Sequence, residues 1–166
     1  MLSRLRQVLS GGRFGPAEVT NVDQLTPHMI RVTLMSELVG GFSPGAAGGH
    51  FKLVVPDRDE TQADFERLIE GGVFKSEMRT YTIRNVRPYL NEIDVDIVTH
   101  GDLGRVGPWA QRAKPGDPLV ISRCGLPKVI TKGMTRILAA ADMTGFPALA
   151  AGLETLREGV EVDAFV

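Results

Sequence analysis

The sequence predicts a mainly β protein: a six-stranded antiparallel Greek-key barrel over residues 17–130, then the truncated start of an α/β domain over residues 131–166. Three observations predict it. Six short segments alternate apolar with polar or β-branched residues, the mark of strands covered on one face. Nineteen glycines and ten prolines fall mainly between them, which favours tight connections over long helices. After Gly133 the pattern changes to an apolar strand, a proline-led helix and a second strand, a single βαβ unit.

The segment over residues 1–16 precedes the barrel. Leu2, Leu5, Val8 and Leu9 have helical spacing within Met1 to Phe14, with Arg4 and Arg6 between them, so a short docking helix is expected. It has neither a continuous apolar stretch nor a small-residue cleavage site and does not read as a signal peptide. Ala17–Val22 is the first predicted strand. Thr26-Pro27-His28 makes a turn, because proline restricts the residue before it. Met29–Met35 alternates and is rich in β-branched residues, so it is the second strand. Ser36–Gly49 holds five glycines and a proline and reads as loop. His50–Val55 is the third strand, stopped by Pro56-Asp57. Within the polar stretch Asp59–Glu77, Phe65, Leu68 and Ile69 predict a short helix in a surface excursion.

Arg79–Val86 is the fourth strand. Arg79-Thr80-Tyr81-Thr82-Ile83-Arg84 puts Tyr81 and Ile83 on one face and Thr80, Thr82 and Arg84 on the other. An ordinary strand explains this pattern. A chemical reading does too: an aromatic ring, a hydroxyl and a guanidinium within four residues can stack on a flat ring, hydrogen-bond a ring nitrogen and grip a phosphate, and a flavin nucleotide offers all three targets. Glu92–Thr99 is the fifth strand. Its acidic residues alternate with β-branched ones, and a solvated acidic face is expected there rather than a catalytic pair. His100 to Ala113 then passes from a glycine-rich loop into a short helix near Gly107. Free amides at a helix start suit an anion, but the G-x-x-G-x-x-G spacing of Gly101, Gly104 and Gly107 is not the dinucleotide fingerprint, and Trp109 reads equally as a core plug. Lys114-Pro115-Gly116-Asp117 turns the chain into Pro118–Ser122, the sixth strand.

In the last unit, Arg136–Ala141 reads as a strand buried on both faces. Asp142-Met143-Thr144-Gly145-Phe146-Pro147 leads into a helix from Pro147 to Arg157, with proline in the first turn where its missing N–H costs nothing. Glu161–Val166 is a further strand. One βαβ unit cannot cover both faces of a parallel sheet, so this domain is expected to be incomplete, finished by further chain or by another chain.

Composition excludes several classes. A net charge of −1 gives no electrostatic case for nucleic acid. No apolar run approaches the roughly 20 residues of a membrane-spanning helix, so no span is expected. A single cysteine, Cys124, forbids an internal disulfide and fits a reducing, cytoplasmic setting. His28, His50 and His100 lack metal-ligand spacing, and no metal site is expected. There is no triad and no paired carboxylate, so no side chain is assigned a catalytic role.

From Val19 to Val166 the chain resembles the siderophore-interacting proteins, flavin-dependent ferric-siderophore reductases of the ferredoxin-NADP reductase superfamily. The residues that carry the resemblance begin with Leu25-Thr26-Pro27-His28-Met29-Ile30-Arg31-Val32, Gly49-His50-Phe51-Lys52-Leu53 and Arg79-Thr80-Tyr81-Thr82-Ile83-Arg84. They continue in His100-Gly101-Asp102 with Gly104 and Trp109-Ala110, in Lys114-Pro115-Gly116-Asp117, and in Asp142 to Ala148. The resemblance implies an FAD-binding barrel followed by the start of a domain that binds NADPH or NADH. It implies that Arg79 holds the FAD pyrophosphate and that Thr80, Tyr81 and Thr82 line the ring, Tyr81 against the isoalloxazine. It places Val98, Thr99 and His100 along the flavin through backbone groups. The loop from Gly104 through Val106 to Trp109 and Ala110 would cap the phosphates, and Thr144 would lie on the nicotinamide side. The chain departs from the family pattern at Arg105-Val106, where either Arg105 adds a phosphate contact or the loss of a small residue crowds the cofactor, at Arg123-Cys124-Gly125, where Arg123 would crowd the ring, and at Met143 and Gly145-Phe146.

The implied function is FAD-dependent transfer of electrons from NAD(P)H to a ferric siderophore, releasing iron. The alternative is an FAD-binding module without NAD(P)H reductase activity of its own. A barrel that holds no flavin and serves protein contact is a third reading. Self-association through the incomplete C-terminal unit is also expected.

Overall fold

The computed structural model describes residues 12–57, 59–71, 77–101, 104–127 and 133–166. The expected N-terminal docking helix falls mainly on residues 1–11, and the expected domain boundary near residue 130 on residues 128–132. Both lie outside the described residues.

The barrel region is one antiparallel sheet of seven strands, in the order β4-β3-β7-β1-β2-β6-β5. β1 (Phe14–Thr26) is longer than the sequence suggests, because its two halves serve different partners. Phe14–Glu18 pairs with β7 (Pro118–Ser122), and Glu18–Thr26 pairs with β2 (Met29–Met35), with register shifts between Val19 and Asn21 and between Gln24 and Thr26. At the Pro27-His28 turn the His28 N–H donates to the Thr26 hydroxyl at 3.2 Å. β2 pairs with β6 (Glu92–Val98) along its whole length. β3 (His50–Val54) lies between β4 (Arg79–Thr82) and β7.

The six-stranded closed barrel is corrected here. The predicted fourth strand splits into β4 and β5 (Asn85–Arg87), which pair with different neighbours, β3 and β6. The split occurs at Ile83-Arg84. The Ile83 N–H donates to Gly49 O and the Arg84 N–H to Asp94 O, both at 2.8 Å, so the chain changes partner between two consecutive residues. No ladder joins β4 to β5. They are the two edges of an open sheet, supplied by one chain segment.

Alternation drives the core inward. Phe51, Leu53, Ile83, Ile93, Ile97, Leu119 and Ile121 are fully buried, together with Leu34 and Trp109. Each such side chain stabilises the fold by about 1.5–3 kcal/mol through burial. The surface excursion contributes α1 (Gln62–Glu70), capped by the Thr61 hydroxyl on Asp64 N–H. Its Phe65 and Ile69 form a second small cluster with Val54 and Val120 on the outer face of the sheet. α2 (Val106–Arg112) packs on the main core, with Trp109 fully buried in it.

The last unit is βαβ, as predicted: β8 (Arg136–Ala140) and β9 (Glu161–Phe165) pair in parallel, joined by α3 (Phe146–Leu153). Two expectations fail in it. The helix ends at Leu153 rather than Arg157. β8 is not buried on both faces: Leu138 is 76% exposed, and every residue of β9 is exposed. Two parallel strands with one helix leave sheet surface uncovered. No helix among the described residues is long and apolar enough to cross a membrane.

Candidate functional site

A cleft of about 260 Å³ opens where the β3–β4 edge meets the start of α3. The sheet side is formed by His50, Thr80, Tyr81 and Thr82, with Asp96, Val98 and His100 from β6 and its end. Thr144 and Pro147 close it from the βαβ unit. Six of the residues assigned from the resemblance are therefore brought together: Thr80, Tyr81, Thr82, Val98, His100 and Thr144.

Register explains the arrangement. In the β3–β4 pair His50 stands opposite Thr82, Phe51 opposite Tyr81 and Lys52 opposite Thr80. Directly paired residues share a face, so His50, Thr80 and Thr82 point one way while Phe51 and Tyr81 point toward the core. Tyr81 is only half-buried because β4 is an edge strand, and its ring can therefore border the cleft from the core side. Burial pushes its phenol up from the ordinary value, against the opposing effect of the Arg79 charge. At neutral pH it is an uncharged aromatic wall. Thr80 accepts from Lys52 Nζ. The Thr82 hydroxyl has no partner among the described residues and is left to the cleft.

Thr144 is held by a local turn. Its N–H and hydroxyl both donate to Asp142 Oδ1, at 2.9 and 2.6 Å, and the Gly145 N–H joins them at 2.9 Å. These bonds, the one from the Thr144 hydroxyl foremost, hold the Asp142 carboxyl below its ordinary value. A charged Asp142 thus fixes Thr144 at the mouth of the cleft.

The other assigned residues stand apart from the cleft. Arg79 is exposed at the start of β4 and donates to Met78 O at 3.1 Å. Thr99 is buried, its N–H donating to His28 O at 2.9 Å. Gly104 sits in a turn at φ +75° ahead of α2. Val106, Trp109 and Ala110 are buried in the core, so their side chains pack rather than line a site. Two readings of the departures are corrected. Arg105 is not left to a phosphate: its guanidinium is enclosed by Asp57 and Glu77, each at 3.1 Å, and by Glu60 at 3.6 Å. Arg123 is exposed and is not part of the cleft wall.

The acidic residues of β6 also differ from expectation. Asp94 and Asp96 are buried, not solvated. Arginines on the neighbouring strands replace the water. Arg31 donates to Asp96 at 2.7 and 2.9 Å, and Arg87 donates to Asp94 at 2.7 and 2.8 Å. Thr33 and Asn85 each add a bond to Asp94 at 3.0 Å. Burial alone would raise the Asp94 carboxyl, but the bonds from Arg87, Asn85 and Thr33 outweigh it and hold the group below its ordinary value. Arg84 approaches Asp96 at 3.8 Å and grips Glu154 at the end of α3, which ties the cleft wall to the βαβ unit.

Sequence reasoning missed His50, Asp96 and Pro147 as wall residues. The signal for His50 was present: strand alternation places it on the face of Thr82 once β3 and β4 are paired. Nothing local marked Asp96, whose place depends on arginines far away in the chain.

Residues 18–127 match the family model of the siderophore-interacting FAD-binding domain. The chain is 33% identical over 157 residues to the protein Rv2895c of Mycobacterium tuberculosis, covering 90% of this chain and 56% of that one. It is 30% identical over 138 residues to the ferric vibriobactin reductase ViuB of Vibrio cholerae, covering 80% of this chain and 50% of that one. The chain thus spans about half the length of the curated relatives it matches. The crystal structure of the siderophore-interacting protein SipS from Aeromonas hydrophila superposes with a TM-score of 0.71 at 28% identity, over 92% of this chain and 58% of that one.

Proposed function

The chain belongs to the siderophore-interacting FAD-binding domain family, and from that premise we propose that it is the flavin-holding part of a cytoplasmic reductase that passes electrons from NADPH or NADH to a ferric siderophore. One observation carries the reading: a single cleft joins an aromatic wall, Tyr81, and an unpartnered hydroxyl, Thr82, to Thr144 of the βαβ unit. These groups fit a flavin. A flat apolar ring suits Tyr81, a ring nitrogen or carbonyl suits the Thr82 hydroxyl, and Arg79 at the start of the same strand suits the pyrophosphate.

Bound FAD would supply two-electron acceptance from the nicotinamide and one-electron delivery to Fe(III), which a siderophore then holds far less well as Fe(II). The protein's part is placement. Tyr81 would cover one side of the ring and keep water from it, and the Thr82 hydroxyl would orient it. Thr144, locked by Asp142, marks the side on which a nicotinamide would arrive. Val98, Thr99 and His100 would contribute backbone groups, and the turn at Gly104 with the start of α2 would face the phosphates through main-chain amides. The core positions of Val106, Trp109 and Ala110 make them supports of that turn.

A second reading, an FAD-binding module with no NAD(P)H reductase activity of its own, is favoured by the uncovered β8–β9 sheet. One experiment separates the two. The purified chain is mixed with FAD, freed of excess, examined by visible absorption, and then titrated anaerobically with NADPH and NADH. Retained flavin bands that bleach support the reductase. Retained bands that persist support the module. No retained flavin sinks both.

A further inference from the structure

His50 lines the cleft with an exposed imidazole that has no hydrogen-bond partner among the described residues. It stands opposite Thr82 in the β3–β4 pair, so its ring and the Thr82 hydroxyl share one face. Its backbone is fixed from the other side as well. The Gly125 N–H donates to His50 O at 2.7 Å, and the His50 N–H donates back to Gly125 O at 3.3 Å.

The ring lies over Gly125. A Cβ at that residue would stand 2.4 Å from His50 Cε1 and 2.6 Å from Nε2, inside any real contact distance. The preceding residue is constrained too: a Cβ at Gly49 would stand 2.4 Å from Gly125 O and 2.8 Å from Ala46 O. Gly49 therefore lets two chain segments close at the backbone of His50, and Gly125 leaves room for its exposed ring on one side. An imidazole can donate from one nitrogen and accept at the other. An exposed imidazole on the cleft wall, on the face of the Thr82 hydroxyl, suits a ligand bearing both kinds of group along one edge.

We propose that His50 hydrogen-bonds the polar edge of the flavin ring and that Gly125 is its positioning residue. This rests on the reading that the cleft takes FAD. It adds a second residue, beside Thr82, that would recognise the ring's heteroatoms rather than its flat face.

The test titrates the full chain with FAD, following the quenching of flavin fluorescence and the visible spectrum of the bound form. The variants are His50→Ala, His50→Gln and Gly125→Ala. Loss of one hydrogen bond predicts a roughly tenfold rise in Kd for His50→Ala, with a shifted flavin band. His50→Gln, which keeps a donor and an acceptor, recovers most of both. Gly125→Ala, with an unchanged thermal midpoint in the absence of FAD, behaves like His50→Ala because the added methyl displaces the ring. Should Gly125→Ala fail to fold, the His50→Ala and His50→Gln pair decides alone. Wild-type binding with His50→Ala equal to it in Kd and spectrum overturns the proposal and leaves the flavin site standing. A wild-type chain that takes up no FAD overturns both.

Discussion

Arg84 holds Glu154 with both arms of its guanidinium, one of them at 2.8 Å, across 70 residues of sequence and from the barrel sheet to the end of α3. Arg84 is the residue at which the predicted fourth strand breaks, so the same kink that opens the sheet aims a cation at the second unit. The hydrogen bond from Arg84 holds the Glu154 carboxyl below its ordinary value of 4.5. A folded-state value that is depressed contributes stability above the ordinary value and loses it as pH falls through the depressed one. Glu154 is mostly exposed, so solvent screening limits the pair to about 0.2–1 kcal/mol. Glu154→Gln is expected to leave the barrel intact and to speed amide exchange in residues 142–157. Unchanged exchange there would show that the ion pair does not hold the units together.

Asp94 and Arg87 form a stronger pair, because Asp94 is buried and Arg87 reaches it with two bonds. Removing Asp94 takes two bonds from Arg87 and leaves it Glu92 alone, at 3.0 Å, and it strips Thr33 and Asn85 of their shared acceptor. Asp94→Ala is expected to cost about 3 kcal/mol in denaturant unfolding. Its carboxyl also sits below its ordinary value of 3.8. The stabilisation it gives is complete above that pH and disappears as pH falls through the lower folded value. The wild-type acid midpoint should therefore fall below that of Asp94→Asn. Equal acid midpoints for the two proteins would remove Asp94 from the account of acid stability.

The strands were legible because alternation is local. Met29–Met35 and Glu92–Val98 were visible as strands, and they pair in full register. The break at Ile83-Arg84 was not legible, since nothing in Tyr81-Thr82-Ile83-Arg84 says that the chain exchanges β3 for β6. That choice depends on where Gly49 and Asp94 stand. The acidic face of β6 was misread for the same reason: alternating acids look solvated until Arg31, Arg84 and Arg87 are folded over them. In the site, the family motif led to Thr80, Tyr81 and Thr82. It includes His50 but gives it no place in the site; that place follows from the pairing of β3 with β4 and the bridge to Gly125, 75 positions along the chain.

The uncovered sheet of the βαβ unit exposes Leu138, Val162, Phe165 and Val166. Exposed apolar surface of this kind favours association. Sedimentation is expected to show self-association that grows with concentration and is weakened in the double variant Leu138→Glu, Phe165→Glu. A wild-type chain that stays monomeric throughout the concentration series would show that this surface is not sticky enough to matter.

Arg79 and Arg105 give the sharpest contrast between a cation proposed for binding and one used for folding. Both lie near the loops expected around a pyrophosphate. Arg79 is exposed on the edge strand that carries Tyr81 and Thr82, and a charge-assisted contact from it would be worth roughly 1.5–3 kcal/mol, or about ten- to a hundredfold in FAD affinity. Arg105 is mostly buried and ringed by Asp57, Glu60 and Glu77, which pins the α1 excursion to the start of α2. Its charge is already compensated, so little is left for a phosphate. Arg79→Ala should therefore weaken FAD binding by that factor. Arg105→Ala should leave FAD affinity within about twofold, lower the thermal midpoint, and speed amide exchange over residues 59–71, because Asp57, Glu60 and Glu77 then lose the cation they share. The reverse pattern, with Arg105→Ala losing flavin and Arg79→Ala keeping it, would move the phosphate site from the β4 edge to the α2 turn.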